Sequence, residues 1–168
     1  RELAKENGFD NLYILGAKVF GNEDSTTFGM DASVEFYPNS HDNLKELDLT
    51  GKIINKKFKS RVFDMEDAIL NKKFMPEVSY PMYKTVFPYW DNSARKAFKG
   101  GWVFQTTPKL YKQWLRDVIN WTKKHHTKEE QFFFINAWNE WAEGAHLEPD
   151  RKFGYAFLEA TKKALEEN

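Results

Sequence analysis

Between Phe132 and Asp150 the chain reads FFFINAWNEWAEGAHLEPD, with Trp138, Asn139, Glu140, Trp141 and Glu143 inside six positions. Solvated loops rarely carry two tryptophans, and cores rarely accept two carboxylates. Glutamates three apart in a turn face similar directions. In an aromatic-lined pocket, two like charges push each other's pKa values apart, leaving one carboxyl able to act as an acid near neutrality. The plainer reading is that Glu143, or Glu148 beyond it, supports the start of the last helix, since tuned carboxylates also occur in structural networks. From the residues alone both readings stand.

Other candidates fall at the ends of apolar runs. YWDNSAR supplies Asp91, Asn92 and Arg95, and Glu35 closes SVE. Carboxylates that move protons at a glycosidic oxygen, amides and an Asp that hold hydroxyls, and indoles that stack on sugar rings together make a glycan site. Asn139 belongs with the amides. Strand alternation from Ile135 sends one tryptophan inward; Trp141 is assigned to ligand, while Trp138 stays open between core and ligand. Asp91 either caps the turn after its strand or binds ligand with Asn92 and Arg95. Glu35 and Tyr13 are open between packing and binding. Of the four His, only His146 lies near the glutamates. With no HExxH, no facial triad and no Gly-rich phosphate loop, neither metal nor cofactor is expected.

These residues need elements to hold them. Residues 1–7 read as a helix tail closed by Gly8. Leu12–Ala17, DASVEFYP, Tyr83–Phe87 and QFFFINAW read as four strands, with RVFDMEDAILNKKF as a short helix carrying Phe63, Ile69 and Leu70. Thr107 is an N-cap, Pro108 suits the first turn, and Leu110, Trp114, Leu115, Val118 and Ile119 make a helical stripe toward Lys124, His125 and His126. A closing helix is expected from Arg151, with Phe153, Phe157, Ala160 and Ala164 on one face. Strands alternating with helices or long crossovers imply a parallel α/β sheet, whose functional residues gather at the carboxyl ends of the strands. Residues 39–60, with His41, are expected as a polar surface excursion.

The totals set limits. The 168 residues suit a single domain, and 25 Lys plus Arg balance 25 Asp plus Glu, so no overall field favours nucleic acid. The Lys-rich run KIINKKFKSR is flanked by acids and reads as a solvated face. Aromatics at 17 % exceed what a core needs and suit a saccharide partner. No apolar run is long enough to span a membrane. The absence of cysteine excludes thiolate chemistry and fits a cytoplasmic setting.

GMDASVEFYP, FPYWDNSAR and NAWNEWAEGAHLEPD, in that order along the chain, resemble the WbsX-type family of bacterial polysaccharide-processing proteins. Those proteins are described as glycosyltransferases and carry a glycoside hydrolase family 99-like domain. The resemblance implies that residues 1–168 form the C-terminal half of a (β/α)8 barrel, about four parallel βα units, with the N-terminal half absent. It also implies action on glycosidic bonds of surface polysaccharide, by hydrolysis or by transfer; a non-catalytic carbohydrate-binding fragment is the third reading. Family 99 hydrolases place an Asn-Glu-Trp-His-Glu-Gly segment at the last barrel strand. Carried over by position, Glu140 is the base to a neighbouring 2-hydroxyl and Glu143 the general acid/base; Ala142 stands where the hydrolases have His. Half a barrel leaves open edges at LYILGA and FFFINAW, implying a covering partner or self-association.

Overall fold

The computed structural model describes residues 1–19, 21, 23–39, 43–96 and 99–168; His41 lies outside the described residues. A short helix α1 (Glu2–Glu6) leads to strand β1 (Leu15–Lys18), and β2 (Ala32–Glu35) follows. After the polar excursion come β3 (Arg61–Phe63), helix α2 (Met65–Leu70), β4 (Met82–Tyr83) and β5 (Thr85–Val86). Then β6 (Trp90–Asp91), α3 (Ser93–Lys96), β7 (Trp102–Phe104) and the long α4 (Pro108–His125) follow. The chain finishes with β8 (Phe134–Ile135), β9 (Asn139–Glu140), β10 (Ala145–His146) and α5 (Ala156–Glu166).

The architecture is mixed α/β with parallel pairing at its centre. β1 pairs with β2, Lys18 opposite Glu35, and β2 with β4, Val34 opposite Tyr83. β5 pairs with β8, Val86 opposite Ile135. Only Lys84 separates β4 from β5, so the run 82–86 joins the two parallel groups. The sequence predicts one strand there; its break falls at a lysine whose side chain is fully buried. A second sheet, absent from the sequence expectation, sets β7 between parallel β3 and antiparallel β6. Phe63, expected on the short helix, is instead a strand residue stacked on Phe104 at 4.5 Å.

Local signals place the helices. The Thr107 hydroxyl accepts the Leu110 N–H at 3.2 Å, and Pro108 opens α4. Asp64 caps α2 by accepting the Asp67 N–H, and Leu70, at its end, is exposed. The stripe of α4 buries Trp114, Leu115, Val118 and Ile119 against Phe74, Phe87 and α5, where Phe157, Ala160 and Ala164 are also buried. α5 starts at Ala156 rather than Arg151. Asp150 accepts the Lys152 and Phe153 N–H groups and folds that stretch into a turn first.

One buried ion pair lies within this core. Lys84 Nζ sits 2.8 Å from Glu35 Oε1, donates to the Phe74 carbonyl, and lies over the Trp121 ring. Burial pushes the Glu35 carboxyl up, against the pull of Lys84, and pushes the Lys84 ammonium down, against the pull of Glu35. Burial, with Glu35 beside it, also raises the Tyr37 hydroxyl well above its ordinary value. No described helix is long and apolar enough to cross a membrane.

Candidate functional site

The segment WNEWAEG folds as a tight antiparallel hairpin. Glu140 pairs with Ala145 and Asn139 with His146, and a 3-10 turn (Trp141–Glu143) closes the end. Gly144 makes the return at φ 64°, in the left-handed region that favours glycine. A Cβ there would sit 2.9 Å from the Asp91 backbone nitrogen. The hairpin is thus pressed directly against the end of β6 and the start of α3.

That approach brings Glu143 to two groups. Its carboxylate is buried, accepts the Asn92 side-chain amide at 3.4 Å, and forms an ion pair with Arg95 of α3. Asn92 is itself buried, and its carbonyl oxygen accepts the Trp102 N–H at 2.8 Å. One amide therefore fixes both the glutamate and the strand beside it. Glu140, one hairpin position from the turn, is exposed.

Glu140 and Glu143 line one cleft of about 710 Å³ together with Asn92 and Arg95. Trp90, Trp102 and Phe36 give it aromatic walls, and Asn136, whose amide donates to the Tyr37 carbonyl, lines it from the end of β8. Lys59, Arg61, Lys96 and Lys99, none of them a site candidate in the sequence, also line this space. Their signal is the glycine pair Gly100–Gly101. At φ 80° a Cβ on Gly100 would lie 2.9 Å from the Lys59 carbonyl oxygen, and a Cβ on Gly101 would lie 2.5 Å from Asn92 Oδ1. The Arg61 N–H donates to the Gly101 carbonyl, so two basic stretches far apart in sequence meet across glycine. The stretch read as a solvated face contributes Lys59 and Arg61 to the cleft wall.

The remaining candidates lie outside this lining. Asp91 accepts the Ser93 N–H at 2.9 Å and so caps the turn into α3. Glu35 is the buried partner of Lys84, accepting the Thr85 N–H as well; it is a core carboxylate rather than a cleft residue. Trp138 and Trp141 are 54 % and 51 % exposed, so neither is the core tryptophan expected of alternation: bends at Asn136 and Trp138 interrupt the strand. Trp141 stacks on His146 at 3.8 Å and donates to Glu148 at 2.7 Å. Asn139 is exposed on β9, and Tyr13 sits edge-on to Tyr83 with its ring partly exposed. His146 lies 2.9 Å from Asp150. Burial works to raise the Asp150 carboxyl, but the Phe153 N–H, His146 and the Lys152 N–H outweigh it and hold it below its ordinary value. Among the described residues no three His, Asp or Glu converge as a metal-holding group.

Arranged in this way, two carboxylates, an amide and aromatic walls in one cleft can exchange protons with a ligand and hold its hydroxyls. Known proteins give the chain a place. The uncharacterized protein WxcX of Xanthomonas campestris pv. campestris (strain B100) is 34 % identical over 165 residues, 98 % of this chain and 24 % of that protein. WxcX of strain ATCC 33913 matches with the same identity and coverage. The chain thus spans about a quarter of the length of these curated relatives. No solved structure matches it. The family described as Glycosyltransferase WbsX matches residues 1–161, and the chain belongs to that family.

Proposed function

We propose that this chain is the glycan-cleaving or glycan-transferring part of an enzyme of bacterial surface-polysaccharide metabolism, working in a cytoplasmic setting. In this reading residues 1–168 are one domain, the C-terminal half of a (β/α)8 barrel with a family 99-like site. The observation that carries it is the convergence of Glu140 and Glu143 on one aromatic-walled cleft. Trp138, Trp141 and Asn139, exposed on the same hairpin, extend the glycan platform beyond the cleft, and Asp91 sets the turn that presents Asn92 and Arg95.

The roles follow from placement. Glu140, exposed in the cleft, takes the proton of the 2-hydroxyl next to the bond that breaks. Glu143 serves the glycosidic oxygen. The ion pair with Arg95 and the hydrogen bond from the Asn92 amide fix the position of the Glu143 carboxyl at the cleft wall. As O2 closes on C1, the bond from C1 to the leaving oxygen breaks and Glu143, entering the step protonated, gives that oxygen its proton; water or a sugar hydroxyl then opens the strained ring at C1, passing its proton to Glu143 while Glu140 returns its proton to O2. Transfer is the second reading, favoured by the family's description as glycosyltransferases.

The test is incubation of the protein with α-mannan-type oligosaccharides, with and without nucleotide sugars, followed by mass spectrometry. Shortened products without a nucleotide sugar indicate hydrolysis, and lengthened products with one indicate transfer. Binding without either product leaves a carbohydrate-binding fragment and rejects catalysis.

A further inference from the structure

The charges of the cleft do not balance in the way the chain's do. Overall, 25 basic residues meet 25 acidic ones. Among the described residues lining the cleft, five cations (Lys59, Arg61, Arg95, Lys96 and Lys99) meet two carboxylates, Glu140 and Glu143. Arg95 is taken by Glu143, and the Arg61 guanidinium by Glu46 at 2.7 Å. Among the described residues Lys59, Lys96 and Lys99 have no ion-pair partner.

Backbone geometry brings these three lysines to the cleft wall. Lys99 directly precedes the glycine pair, Lys59 is the residue whose carbonyl abuts Gly100, and Lys96 ends α3. Cations set around one concave space raise the local potential and draw anions into it, an effect that low-dielectric walls such as Trp90 and Trp102 strengthen. Lysine ammoniums bind phosphate and carboxylate as point charges, without demanding the fixed two-pronged geometry that arginine imposes.

We propose that the saccharide this cleft takes bears an anionic group, a phosphate or a carboxylate, held by Lys59, Lys96 and Lys99 beside the bond that Glu140 and Glu143 address. The inference rests on the glycan reading of the same site and names its substrate class. A sugar phosphate, a nucleoside diphosphate sugar and a uronate-containing oligosaccharide share the chemistry that the lysines meet.

Calorimetric titration tests it with four probes: UDP-glucose, glucose 1-phosphate, a glucuronate-containing tetrasaccharide and a neutral glucose tetrasaccharide. At least one anionic probe is expected to bind about 10-fold or more tighter than the neutral one, with the advantage shrinking between about 25 and 250 mM salt. The triple variant K59S/K96S/K99S should lose that advantage, keep its neutral-probe affinity, and melt like the parent. Tighter binding of the two phosphate probes assigns the lysines to phosphate; tighter binding of the glucuronate probe assigns them to carboxylate. Equal binding of neutral and anionic probes, a preference that survives the triple variant, or no binding of any anionic probe overturns the proposal. E140Q and E143Q separate it from the catalytic reading: they abolish turnover if that reading holds, and since each removes a negative charge from the cleft, with E143Q also freeing Arg95, the anion preference should persist or grow.

Discussion

Glu143 has two commitments, to Asn92 and to Arg95, and its chemistry depends on both. Replacing it with Gln keeps the shape and removes the proton. Turnover of whichever oligosaccharide is processed should fall by about 10²–10⁴-fold, the usual contribution of a positioned acid or base; a variant with most of its activity would exclude Glu143 from the chemistry. Asp150 offers a residue-level test on stability. Its carboxyl is held below its ordinary value, so the stabilisation is present above the unfolded value of about 3.9 and is lost as pH falls through the folded one. The melting temperature of D150N should therefore trail the parent at neutral pH and converge with it as the pH falls below the ordinary carboxylate range. A gap of constant size across that range would show that the charge contributes nothing.

Elements differ in how far the sequence reveals them. α4 was legible because its cap, its proline and its stripe are all local to residues 107–119. The hairpin's chemistry was legible for the same reason, since its glutamates and tryptophans are neighbours in the chain. β3 was not: three residues, Arg61–Phe63, become a strand only by pairing with Trp102–Phe104. Lys59 and Arg61 were hidden likewise, because what brings them to the cleft is a backbone approach at Gly100–Gly101. Gly144 is the corresponding hinge point of the hairpin. G144A should cost about 1–2 kcal/mol from the left-handed backbone alone, and its methyl would press on Asp91 at 2.9–3.3 Å. Urea unfolding that shows no loss would mean that the hairpin stands off from β6.

At the scale of the molecule, the Glu35–Lys84 pair ties the parallel strands to the helical layer through Phe74 and Trp121. Removing one partner strands the other charge in the core. K84M should lose about 3–5 kcal/mol, whereas the double variant E35M/K84M should recover most of it, as buried pairs replaced by apolar side chains commonly do. Equal losses in single and double variants would mean that packing, and not charge, is what the pair supplies. Neither the pair nor the break at Lys84 could be read in advance, because both depend on a strand 49 residues away.

Among the described residues, β8 pairs with β5 alone. Its bonds to the adjacent strand run from the Phe134 N–H to the Lys84 carbonyl and from the Asn136 N–H to the Val86 carbonyl. Alternation along a parallel strand turns the Ile135 N–H the other way, toward the open side. Deuterium labelling should therefore divide this stretch residue by residue, with the amides of Phe134 and Asn136 exchanging slowly and that of Ile135 rapidly. Slow exchange at Ile135 would reveal that another strand docks there in solution, and the labelled residue would mark its register.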